Sequence, residues 1–385
     1  MNTTGIRAHW GLDPDVTFLN NGSFGATPRV VLDAVRQTHL EMEAEPVRFH
    51  ARELPGRIAA ARTAVASFVG ADEAGLAFVQ NATTGVNAVL RSFPWQPGDA
   101  ILLADQTYNA VKQTAIWVSK RYGVELQWAK LPFPLDRADQ MVTPWLEAAT
   151  SKTRLAVIVH VSSPTAMVLP VARIVAELHG KGVPVLVDGA HAPGLLPLDL
   201  ATIGADFYVA NLHKWAYAAK GSAILHVAEA WREMMSPVCI SHGYRQGLRA
   251  EFDWTGTMDP SPYLTAPVAL EFWRRMDVEL GGVAAFNHAL VRRGRTLVSA
   301  ALGTDLPHPD DALLYGPMAA TLWPEPFSGD YRQVADLNRR MYDDHRIEVP
   351  FTTYDDRVWL RISGQAFNTP DEYERLAEVL RGGWR

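Results

Sequence analysis

Three groups of residues, in a fixed order along the chain, could share one piece of chemistry. Asn81-Ala82-Thr83-Thr84-Gly85 opens a predicted helix, where free backbone amides and a threonine hydroxyl make a cup for a phosphate. The same residues would also make an ordinary N-cap. Asp188 ends the run Val-Pro-Val-Leu-Val-Asp and precedes Gly189-Ala190-His191. A carboxylate there could keep a ring nitrogen protonated and so make the ring an electron sink, or it could cap the next helix. Lys214, in Asn211-Leu212-His213-Lys214-Trp215, could form a Schiff base with a carbonyl, although a lone lysine is ordinarily a solvated surface residue. Their order argues for a shared role. Cup, carboxylate and amine each close a successive apolar run, and a cofactor with a phosphate, a ring nitrogen and a carbonyl needs all three.

The elements that must position them read as an α/β fold. Leu76–Val79, Ala100–Ala104, Leu155–Val161, Val183–Val187, Asp206–Val209 and Ser222–Val227 are apolar runs of strand length. Thr84–Ser92, Ala110–Tyr122 and Val171–His179 between them have helical spacing. That alternation predicts a mainly parallel sheet covered on both faces, with ligands beyond the carboxyl ends of its strands. After a boundary near Thr265 the pattern becomes less regular. Ala266–Met276, Val283–Ala301 and Pro370–Leu380 read as helices, Leu306–Pro326 as turns and strands, and Val358–Ile362 as a strand. The expected division is a large domain over 21–265 and a smaller α+β domain from 1–20 plus 266–385.

Composition narrows the class of molecule. The chain has 385 residues, 48% hydrophobic and 20% charged, with net charge −6. It is long enough for more than one core, and it has no basic block, which argues against nucleic acid or an anionic membrane as partner. Its apolar runs reach about seven residues against the ~20 that span a bilayer. Met1 to Gly11 has no signal or transit composition, so the expected location is the cytoplasm. Cys239 is the only cysteine, which excludes an intramolecular disulfide or a cysteine-rich metal site. No metal site is expected.

With these residues in view, the chain resembles the class V aminotransferase family of pyridoxal-5′-phosphate (PLP) enzymes, in its isopenicillin-N-epimerase-like branch. The likeness runs through Leu19-Asn20-Asn21-Gly22-Ser23-Phe24-Gly25-Ala26-Thr27-Pro28, Asn81 to Asn87, Ser163-Pro164-Thr165, Asp188 to Gly194, Asn211 to Trp215, Trp254-Thr255-Gly256-Thr257 and Arg361-Ile362-Ser363. The resemblance implies fold type I of the PLP-dependent transferases. It makes Lys214 the Schiff-base lysine and proton shuttle, and Asp188 the partner of the pyridine nitrogen. Ala190 would pack on the ring, with His191 and Ser163 near its phenolic oxygen. Ala82, Thr83, Asn211 and His213 would hold the phosphate with Thr257 of a neighbouring subunit, hence a homodimer with shared sites. Arg361 would bind the substrate carboxylate, with Asn21 and Ser23 beside it. Ring stacking would come from Tyr108, with Gln106 as fallback where the family often has His. Val159 stands before His160 where Asp is common, so a thinner polar network is expected there.

The resemblance implies chemistry at Cα of an amino acid and leaves several outcomes open. They are epimerisation, C–S β-elimination from a cysteine conjugate, decarboxylating deamination and transamination. Epimerisation needs a second proton donor, for which Tyr108, Tyr217 and His50 are candidates. Persulfide chemistry is disfavoured, because His345–Tyr354, where related desulfurases carry a mobile cysteine, contains none, and Cys239 reads as a small buried or idle residue. A non-catalytic α/β binding module would leave the coexistence of Lys214, Asp188 and the cup unexplained.

Overall fold

The structure, a computed structural model, describes residues 4–382. Residues 1–3 and 383–385, the extremes of the expected smaller domain, lie outside the described residues. In chain order the strands are β1 (Thr17–Phe18), β2 (Leu76–Val79), β3 (Ala100–Ala104), β4 (Glu125–Ala129), β5 (Thr153–Val159), β6 (Val185–Asp188), β7 (Phe207–Asn211), β8 (Ala223–Val227), β9 (Met318–Pro326), β10 (Ile347–Glu348), β11 (Phe351–Tyr354) and β12 (Arg357–Ser363).

Seven of them form one sheet in the order β2-β8-β7-β6-β5-β3-β4. Only β8 runs against its neighbours. Every residue of β2, β3, β6, β7 and β8 is buried, as expected of strands covered on both faces. The pleat sorts their side chains into two layers. Ile101, Leu103, Leu155 and Val157 pack on one face with Val86, Val89 and Val118. Leu102, Ala104, Ala156 and Ile158 pack on the other, in a core continuous with Ile58, Leu290, Val298 and Leu376. That second layer joins the sheet to the C-terminal third.

The C-terminal third contains a three-stranded antiparallel sheet, β11-β12-β9. It packs with helices Val283–Leu302 and Tyr331–His345, and helices Ala266–Leu280 and Pro370–Arg381 lie against Val283–Leu302. β1 pairs in parallel with β10, so the N-terminal segment joins this part of the molecule. Within the expected Leu306–Pro326 turn-and-strand region, the regular element is the strand β9. The cysteine-free His345–Tyr354 stretch holds β10 and β11, and Phe351–Tyr354 is paired throughout with β12. Three helices had no clear apolar signature. Arg29–Ala44 buries only Val31 and Thr38, Leu54–Val69 carries Pro55 and Gly56 in its first turn, and Tyr331–His345 buries only Leu337 and Met341.

Candidate active site

The expected residues converge beyond the carboxyl ends of β5, β6 and β7. Lys214 sits in the loop after β7, held by Leu212 and Trp215, both fully buried. Its Nζ lies 3.2 Å from His191 Nε2. Burial lowers the Lys214 amine to about 7, assisted by the positive charge of Arg361 and opposed by Asp188. An amine near neutrality is available as a nucleophile at physiological pH. The Trp215 indole donates to His191 Nδ1 at 3.4 Å, which puts the proton of a neutral imidazole on Nε2, facing the lysine lone pair. Burial, with the charges of Lys214 and Arg361, keeps His191 neutral by holding its pKa well below the usual range.

Asp188 ends β6 and is 5% exposed. Among the described residues its carboxylate has one hydrogen bond, from the Ala190 amide at 3.1 Å. Burial raises its pKa, and the Ala190 amide and Lys214 pull it back down. A buried carboxylate with so few donors suits a protonated ring nitrogen, which would relieve the desolvation. Behind it, Tyr208 and His160 form a buried pair, with Tyr208 Oη 2.7 Å from His160 Nδ1. Burial brings His160 down to about 4. The polar network expected to be thin at Val159 is supplied from β7 instead. Gly189 is obligatory here, because a Cβ would lie 2.2 Å from the Tyr208 hydroxyl.

The phosphate cup opens helix Ala82–Ser92. Asn81 caps it, accepting from the Thr84 amide at 2.9 Å, and Asn211 Oδ1 accepts from the Ala82 amide at 2.8 Å. The two phosphate candidates Ala82 and Asn211 are therefore bonded to each other, which ties β7 to the helix. The Thr83 amide and hydroxyl have no partner among the described residues. A phosphate at a helix start would use such donors. His213 Nδ1 donates to the Ser222 carbonyl at 2.9 Å, so Nε2 remains for a ligand. Burial lowers His213 to about 4, and a bound dianion would favour its protonation.

Arg361, on β12, is 3% exposed. Nη1 donates to the Ser163 carbonyl at 2.5 Å and approaches Ser163 Oγ at 3.3 Å, while Nη2 donates to Ser23 Oγ at 3.2 Å. No carboxylate is hydrogen-bonded to it among the described residues, and burial lowers it to about 10. Ser163 thus stands with Arg361, whereas His191 stands with the lysine. Asn21 departs from its expected substrate role. It is 1% exposed, its Nδ2 donates to the Lys214 carbonyl at 3.2 Å, and its Oδ1 accepts from the Ala26 amide at 3.0 Å. Both ends of the amide brace the lysine loop. Gly25 follows at φ +67°, where a Cβ would sit 2.4 Å from the Lys214 carbonyl.

The remaining candidates separate. Tyr108 precedes helix Asn109–Tyr122, is 49% exposed and lies close enough to Arg361 to act on it electrostatically. Gln106, the stacking fallback, is fully buried, and its Oε1 accepts from Ser162 and Thr165, each at 2.6 Å; those bonds hold it in the loop. Tyr217 is no free acid, because its buried hydroxyl donates to Gln365 at 2.7 Å and burial pushes its pKa up. His50 packs edge-on against Trp254. Thr257 is exposed. Cys239 is exposed rather than buried and lines a cavity with Thr83, Thr84 and Trp254, on the side of the phosphate cup. Lys220, six residues after Lys214, braces the loop: its Nζ donates to the Gly25 carbonyl at 2.5 Å and Thr27 Oγ1 at 2.9 Å. Sequence reasoning missed Tyr354, whose hydroxyl donates to Asp105 at 2.9 Å. No cluster of three or more metal-ligating side chains occurs among the described residues, and no helix there is long and apolar enough to cross a membrane.

Comparison with known proteins agrees with this geometry. The sequence model of the family "Aminotransferase class-V" matches residues 17–266. The chain is 35% identical to isopenicillin N epimerase of Amycolatopsis lactamdurans, over 97% of each chain. It is 32% identical to a probable chloroplastic L-cysteine desulfhydrase of Arabidopsis thaliana, over 96% of this chain and 83% of that one. Among solved structures, cysteine desulfurase from Thermococcus onnurineus NA1 superposes with a TM-score of 0.82 at 18% identity, over 98% of this chain and 97% of that one, which shows the shared fold. The chain belongs to the class V aminotransferases and is a PLP-dependent enzyme of fold type I.

Proposed function

We propose that this enzyme labilises the Cα–H bond of an amino acid or amino-acid-derived substrate and returns the proton to the opposite face, as an epimerase of the isopenicillin-N-epimerase type. One observation carries the reading: a single buried site holds a lysine amine lowered to about 7, a carboxylate with one hydrogen bond and an arginine fork with no carboxylate partner. When bound, PLP supplies an electron sink for the charge that develops at Cα.

The chain's own residues would do the rest. Lys214 Nζ would hold the cofactor's aldehyde carbon and, once released, take the proton from Cα. His191, its proton on Nε2, would orient that amine. Asp188 would keep the ring nitrogen protonated. Thr83, His213, Asn211 and Ala82 would surround the phosphate, and Ala190 would lie against the ring. Arg361 would grip the α-carboxylate, with Ser23 and Ser163 fixing the plane of its fork. Tyr108, half-exposed beside Arg361, would stack on the ring and serve as the second acid. The exposed Thr257 supports a homodimer in which it reaches the partner's phosphate site. The chain would divide into a large unit over 21–265 and a smaller one from 1–20 plus 266–385, an arrangement supported by the pairing of β1 with β10.

A second reading, β-elimination of a thiol from a cysteine conjugate, uses the same first step and is supported by the desulfhydrase relative. It needs no cysteine nucleophile, in keeping with a His345–Tyr354 stretch that contains no cysteine. The test is turnover of L-amino acids, side-chain-linked peptides and cysteine conjugates in deuterated water. Deuterium at Cα with inverted configuration establishes epimerisation. Pyruvate with ammonia, or a released thiol, establishes the lyase instead. A requirement for stoichiometric keto-acid would contradict both.

A further inference from the structure

We propose that Asn20 and Glu348 are positioning residues for the substrate's α-carboxylate, ending a hydrogen-bond relay that fixes the Arg361 fork from behind. This rests on the proposed grip of Arg361 on that carboxylate and adds two residues to it.

The relay starts at Arg361, whose Nη2 donates to Ser23 Oγ at 3.2 Å. Ser23 Oγ donates to Asn20 Oδ1 at 2.6 Å, and Asn20 Nδ2 donates to Glu348 Oε1 at 3.0 Å. The direction of every link is forced. A guanidinium can only donate and an ionised carboxylate can only accept. The serine hydrogen must therefore point to Asn20, and the amide must present its oxygen to Ser23. A flipped amide would set that oxygen against Glu348 and leave the serine hydrogen without an acceptor. All three bonds run the same way, from cation to anion, the arrangement in which successive hydrogen bonds polarise one another.

Neither residue is engaged elsewhere. Asn20 stands at the N-cap of helix Asn21–Phe24, yet its side chain caps no backbone amide there, which is the usual use of asparagine at that position. It is 8% exposed, and buried amides satisfy both ends within the protein. Glu348, on β10, has the Asn20 amide as its side-chain partner and forms no ion pair among the described residues.

Backbone bonds hold the relay in register. The Leu19 amide donates to the Glu348 carbonyl at 3.0 Å, and the Ser363 amide donates to the Leu19 carbonyl at 2.8 Å. The Asn21 amide donates to Ser363 Oγ at 2.7 Å. The segment carrying Asn20 and Ser23 is thus clamped between β10, with Glu348, and β12, with Arg361. Gly22 lets it lie that close, since a Cβ there would sit 2.5 Å from Met318 Sδ and 3.6 Å from Arg361 Nη2.

The consequence is chemical. Arg361 is buried without a bonded carboxylate, and a desolvated cation in that state is costly. The relay brings the acceptor strength of Glu348 to the back of the fork through two neutral groups. No anion of the protein then competes with the substrate for its front, so the fork is oriented without being neutralised.

The test measures how PLP-loaded enzyme distinguishes aminooxyacetate from its amide, aminooxyacetamide. Both capture the cofactor's carbonyl, which is followed by absorbance, and each rate is divided by that with free PLP. The probes differ in the carboxylate alone. Wild type should prefer the acid by about tenfold or more, and Arg361→Gln should abolish the preference. Asn20→Ala and Glu348→Leu should each cut it by about fivefold. Glu348→Gln keeps an acceptor for Asn20 and should stay within about twofold of wild type. Melting temperatures of the cofactor-free proteins are measured alongside. Lower melting temperatures in Asn20→Ala and Glu348→Leu with the preference intact would make them packing residues and overturn the relay alone. Equal losses of preference in Glu348→Leu and Glu348→Gln would do the same. A wild type without the preference, or a preference that survives Arg361→Gln, would overturn the relay together with the placing of the carboxylate on Arg361.

Discussion

Replacing Arg361 separates its two effects, because its charge and its shape act on different partners. The guanidinium is buried and donates from Nη1 to Ser163 and from Nη2 to Ser23, leaving a planar fork in a fixed orientation. Arg361→Lys keeps the charge and loses the fork. A hydrogen bond to a charged group contributes about 1.5–3 kcal/mol, so loss of one of two bonds to a carboxylate should weaken substrate binding by about 10- to 150-fold. Arg361→Gln also removes the charge, and that charge helps to hold the Lys214 amine down at about 7. The amine should therefore move up in the Gln variant and stay in place in the Lys variant. Substrate affinity is followed by the change in cofactor absorbance, and the lysine by the pH dependence of PLP capture by cofactor-free protein. An α-amidated substrate should suffer no further loss in Arg361→Gln, and a smaller further loss in Arg361→Lys than in wild type. If amidation costs Arg361→Gln as much as wild type, or if the capture profile is the same in the Gln variant and wild type, the carboxylate does not sit on Arg361 or the charge does not reach Lys214.

Asp188→Asn should retain PLP but lose about 2.7–4 kcal/mol of transition-state stabilisation, the scale of deleting a preorganised electrostatic partner; kcat in the 100- to 1,000-fold lower range checks it, and wild-type turnover would remove Asp188 from the mechanism. In cofactor-free protein, the folded pKa of Lys214 lies below its ordinary 10.5, so the buried charge destabilises the fold fully below about pH 7 and progressively less as pH rises towards 10.5. Lys214→Met should accordingly raise the melting temperature most at or below pH 7, and a gain that grows with pH would contradict the burial of a charged amine. Tyr108→Phe should lower the rate of inversion at Cα more than the rate of proton exchange, if its hydroxyl is the second acid; equal loss in both would assign it to stacking alone.

Much of the large sheet was legible because its strands are buried on both faces. Leu76–Val79 and Ala100–Ala104 are uninterrupted apolar runs, and their observed limits match the expected ones. β4 escaped notice because it lies at the sheet edge with only Ala129 buried, so no apolar run marks it. Helix Arg29–Ala44 was hidden for a related reason, since most of its residues remain in contact with water. Within the site, Lys214, Asp188 and Thr83 were readable because each follows a strand whose end the pattern locates. The role of Asn21 was not, because it depends on the Lys214 carbonyl, 193 positions away in the chain. The same holds for the Lys220 bridge to Gly25 and for Tyr354 on Asp105, contacts created by the meeting of distant segments.

The central claim is that Lys214 is the residue that bonds to PLP. Borohydride reduction of the PLP-loaded enzyme, followed by proteolysis and mass mapping, tests it directly. The account predicts a pyridoxyl label on Lys214 alone, with no label retained in Lys214→Ala. A label on Lys220, whose amine burial lowers to about 8, or on any other lysine of the wild-type enzyme would contradict it.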